Sequence, residues 1–168
     1  MKIVASAIVY KDCRIGCPPQ SHYNVPMELF DTHCHLDVAD FDADRAAVLA
    51  RARAAGVGRM VIPAVDVAGW PGLIDLCRRE EGLYPALGLH PIFIDRHRDE
   101  DLVALRSFVE KEHPVAIGEI GLDFYIKELD RERQQWLLEQ QLQIADEFQL
   151  PVLLHVRKAH DEVLGTLK

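Results

Sequence analysis

The chain has 168 residues, 49% hydrophobic and 27% charged, with a formal net charge of −8; that is length enough for one core and too apolar for a disordered segment. The acidic balance argues against a broad basic surface gripping nucleic acid by counterion release, although bound divalent ions can still give a phosphate substrate local positive charge. No apolar run reaches the roughly 18 residues of a membrane span, and Ile3 to Val9 is too short for a signal segment, so a cytoplasmic protein with no membrane partner is expected.

In chain order, residues 1–27 read as an N-terminal extension. Cys17-Pro18-Pro19-Gln20 is turn-forming, no complete βα unit precedes Glu28, and Met27 offers an alternative start of translation. Cys13, Cys17, Cys34 and Cys77 are expected to be free thiols; Cys13, Cys17 and His22 lack the second ligand pair of a structural zinc site. From Leu29 onward, short apolar runs alternate with amphipathic stretches. Strands are predicted at Leu29–His33, Met60–Ala64, Tyr84–Leu89, Val115–Glu119 and Val152–His155, and helices at Ala43–Ala55, Gly72–Glu81, Asp99–Glu112, Arg131–Phe148 and Ala159–Lys168. In the fourth helix, Trp136, Leu137, Gln140, Ile144 and Phe148 form a stripe at helical spacing that should pack on a sheet.

This alternation is that of a parallel sheet in an α/β protein. The fold class expected is a TIM-type (β/α)8 barrel, of which residues 28–168 hold about the first five βα units, since a complete barrel takes about 250 residues. An open barrel edge exposes unpaired strand groups, so self-association through that edge is expected.

Chemistry concentrates at the strand ends. In Asp31-Thr32-His33-Cys34-His35, residues two apart on a strand point to one side with Cα atoms roughly 6.6 Å apart, so two imidazoles can converge on one metal ion while Cys34 faces the helix layer. In Gly118-Glu119-Ile120-Gly121, a carboxylate closes an apolar strand, where burial without a positive partner or metal would be costly. His155 and Arg157 end the fifth strand and His90 follows the third. All would lie on the C-terminal face, where barrel enzymes carry their active sites. His22, His97, His113 and His160 are expected in solvated loops or on helix surfaces.

Taken together and in order, Asp31-Thr32-His33-Cys34-His35-Leu36-Asp37, Leu87-Gly88-Leu89-His90-Pro91, Gly118-Glu119-Ile120-Gly121-Leu122-Asp123 and Leu150-Pro151-Val152-Leu153-Leu154-His155, with the helix that carries Arg133, Gln134 and Gln141, resemble the TatD family of metal-dependent deoxyribonucleases and phosphoesterases. The resemblance covers Glu28 to Lys168. It implies two divalent metal ions (Zn, Mn or Mg) held by His33, His35, Glu119 and His155, with Glu119 bridging them as the catalytic carboxylate. It further implies that His90 and Arg157 meet the substrate, DNA or a small phosphodiester, which a metal-activated water cleaves. The family's remaining ligands, a histidine after strand six and an aspartate after strand eight, have no counterpart in this sequence. Two other readings stand beside this one. The chain could be an inactive truncated remnant or binding module, or an amidohydrolase-type barrel acting on a cyclic amide, though Glu119 stands where that class commonly carries a carboxylated lysine.

Overall fold

The computed structural model describes residues 28–168, together with the backbone of residues 3–4 and 9–10. Two short strands, β1 (Ile3–Val4) and β2 (Val9–Tyr10), precede a regular alternation: β3 (Leu29–Asp31), α1 (Arg45–Ala54), β4 (Val57–Pro63), α2 (Trp70–Arg79), β5 (Leu83–Leu87), α3 (Asp99–Glu112), β6 (Ala116–Asp123), α4 (Arg131–Glu147), β7 (Val152–Arg157) and α5 (His160–Thr166). Strands β3 to β7 are mutually parallel and adjacent in chain order, as successive right-handed βα units require. They form the half-barrel expected from the sequence. Its outer strands each receive a partner: β1 lies parallel to the start of β7, and β2 antiparallel to β3. Among the described residues nothing pairs with the outer edge of β7 beyond Leu153. Cys13, Cys17, His22 and Met27 lie outside the described residues.

Alternation along the strands sorts the core into two layers. Met60 and Ile62 of β4, Leu83 and Leu87 of β5, Ile117 of β6 and Val152 of β7 join the large cluster beneath the helices, while Val61, Ala86, Ala116 and Leu153 form a small cluster on the opposite, barrel-interior face with Phe30 against it. Two alanines in that inner layer leave it thin, which suits a closely curved sheet.

Several boundaries differ from expectation, and the differences bear on the site. β3 stops at Asp31, so His33 and His35 lie in the segment after the strand. Strand alternation therefore does not orient them; a local turn does, with the Asp31 carboxylate accepting from the His33 backbone N–H at 3.0 Å. β6 runs on to Asp123, which places Glu119 in the middle of a strand buried along its whole length. The glycines around Glu119 make this possible. A Cβ at Gly118 would stand 2.6 Å from the Leu153 Cβ, and one at Gly121 would fall on the His155 carbonyl oxygen, at a φ of +149° that side chains rarely adopt.

In α4 the buried face is Gln134, Leu137, Leu138, Gln141, Leu142, Ile144 and Ala145. Of the expected stripe, Leu137 and Ile144 lie on this face, Trp136 and Phe148 flank it, and the neighbouring Gln141 is buried where Gln140 is only half-buried. Gln134 and Gln141, seven residues apart on one face, clamp loop backbone. The Gln134 amide oxygen accepts from Asp123 N–H at 2.7 Å and its nitrogen donates to Asp123 O at 3.2 Å; Gln141 makes the same pair with Leu89, at 2.7 and 3.2 Å. These side chains satisfy backbone groups where the sheet ladder ends, the places where buried amides otherwise go unpaired.

Candidate metal centre

Glu119 is the hub. Its side chain is 8% exposed, and its Oε2 lies 3.0 Å from His33 Nε2, 3.2 Å from His35 Nε2 and 3.5 Å from His90 Nε2, while Oε1 lies 3.0 Å from His155 Nδ1. Segments distant in the sequence deliver these rings. His33 and His35 come from the turn after β3, with ring nitrogens 3.2 Å apart, His90 from the segment after β5, and His155 from β7, beside Glu119 on β6.

Each imidazole except His33 has an anchor outside the cluster. His35 Nδ1 meets the Pro63 carbonyl oxygen at 3.0 Å, an arrangement that makes Nδ1 the donor there and turns Nε2 toward Glu119. The His90 Nδ1 accepts from Ile92 N–H at 3.1 Å, which keeps the His90 ring in place over Glu119. His155 Nε2 lies 3.0 Å from Asp123 Oδ2, with Asp123 wholly buried. A carboxylate behind a histidine fixes its ring and raises its basicity, as in many metal sites.

These contacts set the protonation of the cluster. Burial alone would raise the Glu119 carboxyl, but hydrogen bonds from His155, His33, His35 and His90 outweigh it and hold the group well below the carboxylate range. Asp123 is likewise lowered, because His155 and two backbone N–H groups outweigh its burial. His35 is raised, chiefly by its hydrogen bond to Glu119. His155 is raised although burial opposes it, because Glu119 and Asp123 flank it. His90 moves the other way, since its burial dominates.

Two donor groups share the one carboxylate: His33, His35 and Glu119, and His90, Glu119 and His155, each with ligand atoms within 4.8 Å of one another. Imidazole with carboxylate suits Zn and Mn among the divalent ions, so the residues present fit such an ion on either side of Glu119. Every residue singled out from the sequence, His33, His35, His90, Glu119, His155 and Arg157, converges on this face. Arg157 reaches Asp123 Oδ2 at 3.8 Å rather than Glu119.

His97 corrects an expectation. It is 6% exposed, not solvated, and its Nε2 meets the His90 carbonyl oxygen at 2.9 Å, so it braces the segment that carries His90. Asp123 is the site residue that was not singled out, although an aspartate closing the apolar run Ile120-Gly121-Leu122 carries the same signal of buried charge that drew attention to Glu119. His160 is exposed as expected.

A family model described as "TatD related DNase" matches residues 30–168, the whole of the segment that builds this centre. The chain belongs to the TatD-related DNase family. Its relatives include the uncharacterized metal-dependent hydrolase YjjV of Escherichia coli, 43% identical over 140 residues covering 82% of this chain and 54% of that protein. Another is the 3'-5' ssDNA/RNA exonuclease TatD of Cronobacter sakazakii, 36% identical over 139 residues, covering 83% of this chain and 53% of that one. The crystal structure of the E. coli YjjV protein superposes with a TM-score of 0.76 over 79% of this chain and 52% of that one. A TatD family protein from Entamoeba histolytica, 22% identical, shares the fold with a TM-score of 0.73, covering 81% of this chain and 52% of that one. The chain thus spans about half the length of the TatD relatives it matches. Among the described residues no helix is long and apolar enough to cross a membrane.

Proposed function

We propose that this chain carries the metal-binding front of a TatD-type phosphodiesterase: His33, His35 and Glu119 hold one divalent ion, Glu119 and His155 a second, with His90 lining the site toward the substrate, a phosphodiester of the DNA class. The observation that carries this reading is the single buried carboxylate shared by two donor groups, the arrangement that two-ion hydrolysis by in-line phosphate displacement calls for. The names of relatives, a metal-dependent hydrolase and a single-stranded DNA and RNA exonuclease, support the same class.

Such ions, when bound, supply positive charge that acidifies water and neutralises phosphate oxygens. The protein's own residues do the positioning. Glu119 offers one oxygen to each side, so its place on the rigid β6 strand fixes the spacing of the two groups. Asp123 holds the His155 ring at its far nitrogen, and the Pro63 carbonyl does so for His35. Arg157, with a half-exposed side chain at the mouth, is the fixed cation for a phosphate oxygen. The test is hydrolysis of single-stranded DNA and of bis(p-nitrophenyl) phosphate, with and without added Mn or Mg, beside Glu119→Ala. Metal-dependent cleavage that the variant loses is expected; cleavage undiminished in the variant, or none by the parent chain, would overturn the proposal.

A further inference from the structure

Beside the metal centre lies an exposed aromatic side chain. Among the described residues, Tyr125 is the one aromatic side chain in the set of exposed large hydrophobics, 51% exposed just past the end of β6. The Arg157 guanidinium lies over its ring, 3.8 Å from Cζ to the centroid, and the Lys158 ammonium stands 5.1 Å from the same centroid. Two cations on one exposed ring stand out in a chain of net charge −8. The backbone favours this gathering: Lys158 adopts a left-handed φ of +54°, which turns the chain sharply after β7. Of the other arginine–aromatic pairs, Arg131 on Phe124 and Arg133 on Trp136 use rings half-buried against the core and serve packing, while Arg96 lies 4.8 Å from the centroid of Phe93, a half-buried ring that packs on His90.

Asp123 ties this surface to the metal centre. Its Oδ2 faces His155 Nε2 at 3.0 Å, while its Oδ1 accepts from the backbone N–H groups of Tyr125 at 3.0 Å and Ile126 at 3.2 Å. Tyr125 follows Asp123 by two residues, at most about 7.6 Å of Cα path. One buried carboxylate therefore fixes both a candidate metal ligand and the loop that bears the ring.

We infer that Tyr125, with Arg157 and Lys158 around it, is a stacking subsite for a nucleobase of a single-stranded nucleic acid whose phosphate lies at the Glu119 centre. The inference rests on the phosphodiester reading above and adds to it the recognition of a base. A base in a duplex has no free face to offer, whereas an unpaired base stacks on an aromatic ring or a guanidinium plane; with Arg157 over one face of Tyr125, the base takes the guanidinium plane or the ring's other face. Stacking is tolerant of sequence, so the subsite selects strandedness and not base identity.

The test compares two fluorescein-labelled probes of equal length and phosphorothioate linkage, which resist cleavage: oligothymidylate, and a strand of abasic tetrahydrofuran residues. Both are titrated by anisotropy in MnCl2 against the parent chain, Tyr125→Ala and Tyr125→Phe. Because Tyr125 is exposed, both variants should fold, which circular dichroism checks. The parent should bind the base-bearing strand more tightly than the abasic one. Tyr125→Ala should lose roughly 5- to 150-fold on the base-bearing strand with the abasic strand unchanged, and Tyr125→Phe should stay within about 2-fold of the parent, since the ring and not the hydroxyl stacks. Equal binding of both strands by the parent, or equal losses on both in Tyr125→Ala, would overturn the subsite and leave the phosphodiester reading standing. Binding of neither strand would overturn both.

Discussion

Replacing Glu119 by glutamine removes one charge at nearly constant shape, and the loss falls on both donor groups at once. Oε2 faces three Nε2 atoms at 3.0 to 3.5 Å, and Oε1 faces His155 Nδ1 at 3.0 Å. In the amide, one of these positions becomes an NH2 group that cannot bind a cation. One donor group then falls from three ligands to two, and the other keeps an oxygen without its charge. Loss of a partner that merely orients a ligand costs about 10–100-fold in metal affinity. Loss of the shared ligand should cost at least about 100-fold at each group, or about 2.7 kcal/mol. Titration calorimetry of metal-stripped chain with MnCl2 at pH 7.5 reads this directly, with circular dichroism in EDTA as the check on folding. An isotherm that superposes on the parent's would refute the reasoning. Loss of one binding event with the other intact would assign Glu119 to a single group.

Neighbouring contacts give further expectations. Asp123→Asn keeps an oxygen for the Tyr125 and Ile126 amides but withdraws the charge behind His155, so manganese affinity should fall about 10–100-fold, less than for Glu119→Gln in the same titration. Gln141→Leu strands the buried Leu89 N–H and carbonyl, which should cost about 1–3 kcal/mol in urea unfolding; an unchanged midpoint would show that the clamp contributes nothing. Burial, with Asp37 adding to it, pushes the Cys77 thiol up to about 12 from an ordinary 9.0. Near pH 9 its thiolate fraction should be about 500-fold below that of an unfolded cysteine, so iodoacetamide should label the Cys77 peptide far more slowly in native than in urea-unfolded chain, and equal rates would contradict its burial. With the sign worked through, a folded pKa above the unfolded one means that this contribution to stability is whole below pH 9 and declines as pH rises toward 12.

The order of βα units is legible in the sequence because apolar runs and amphipathic stretches carry different periods, and the donor residues are legible because charge at the end of an apolar strand demands a partner. Local geometry is not. The sequence overstates the length of β3 because Asp31 turns the chain back on its own side chain, an interaction with no periodicity. It cuts short the strand around Glu119 because glycine and glutamate read as strand breakers, whereas the close approach of β7 is what calls for glycine there. His97 reads as a loop residue, and its burial depends on where the His90 segment folds over it, a tertiary fact that no window of sequence contains. Gln141 is visible in the family motif, yet its task of closing the Leu89 amide pair emerges only once α4 is laid against the end of β5.

The donors that meet at Glu119 come from the segment after β3, the segment after β5, and β6 and β7, so they gather only when the half-barrel is assembled. An ion that binds this gathered set and not the unfolded chain draws the folding equilibrium toward the native state by mass action. At a free concentration a hundredfold above its dissociation constant, that amounts to about 2.7 kcal/mol, a sizeable share of the margin by which a domain of this size stays folded. Chelation is then a destabilising influence on the folded chain, and the melting temperature becomes a gauge of ion occupancy that needs no substrate.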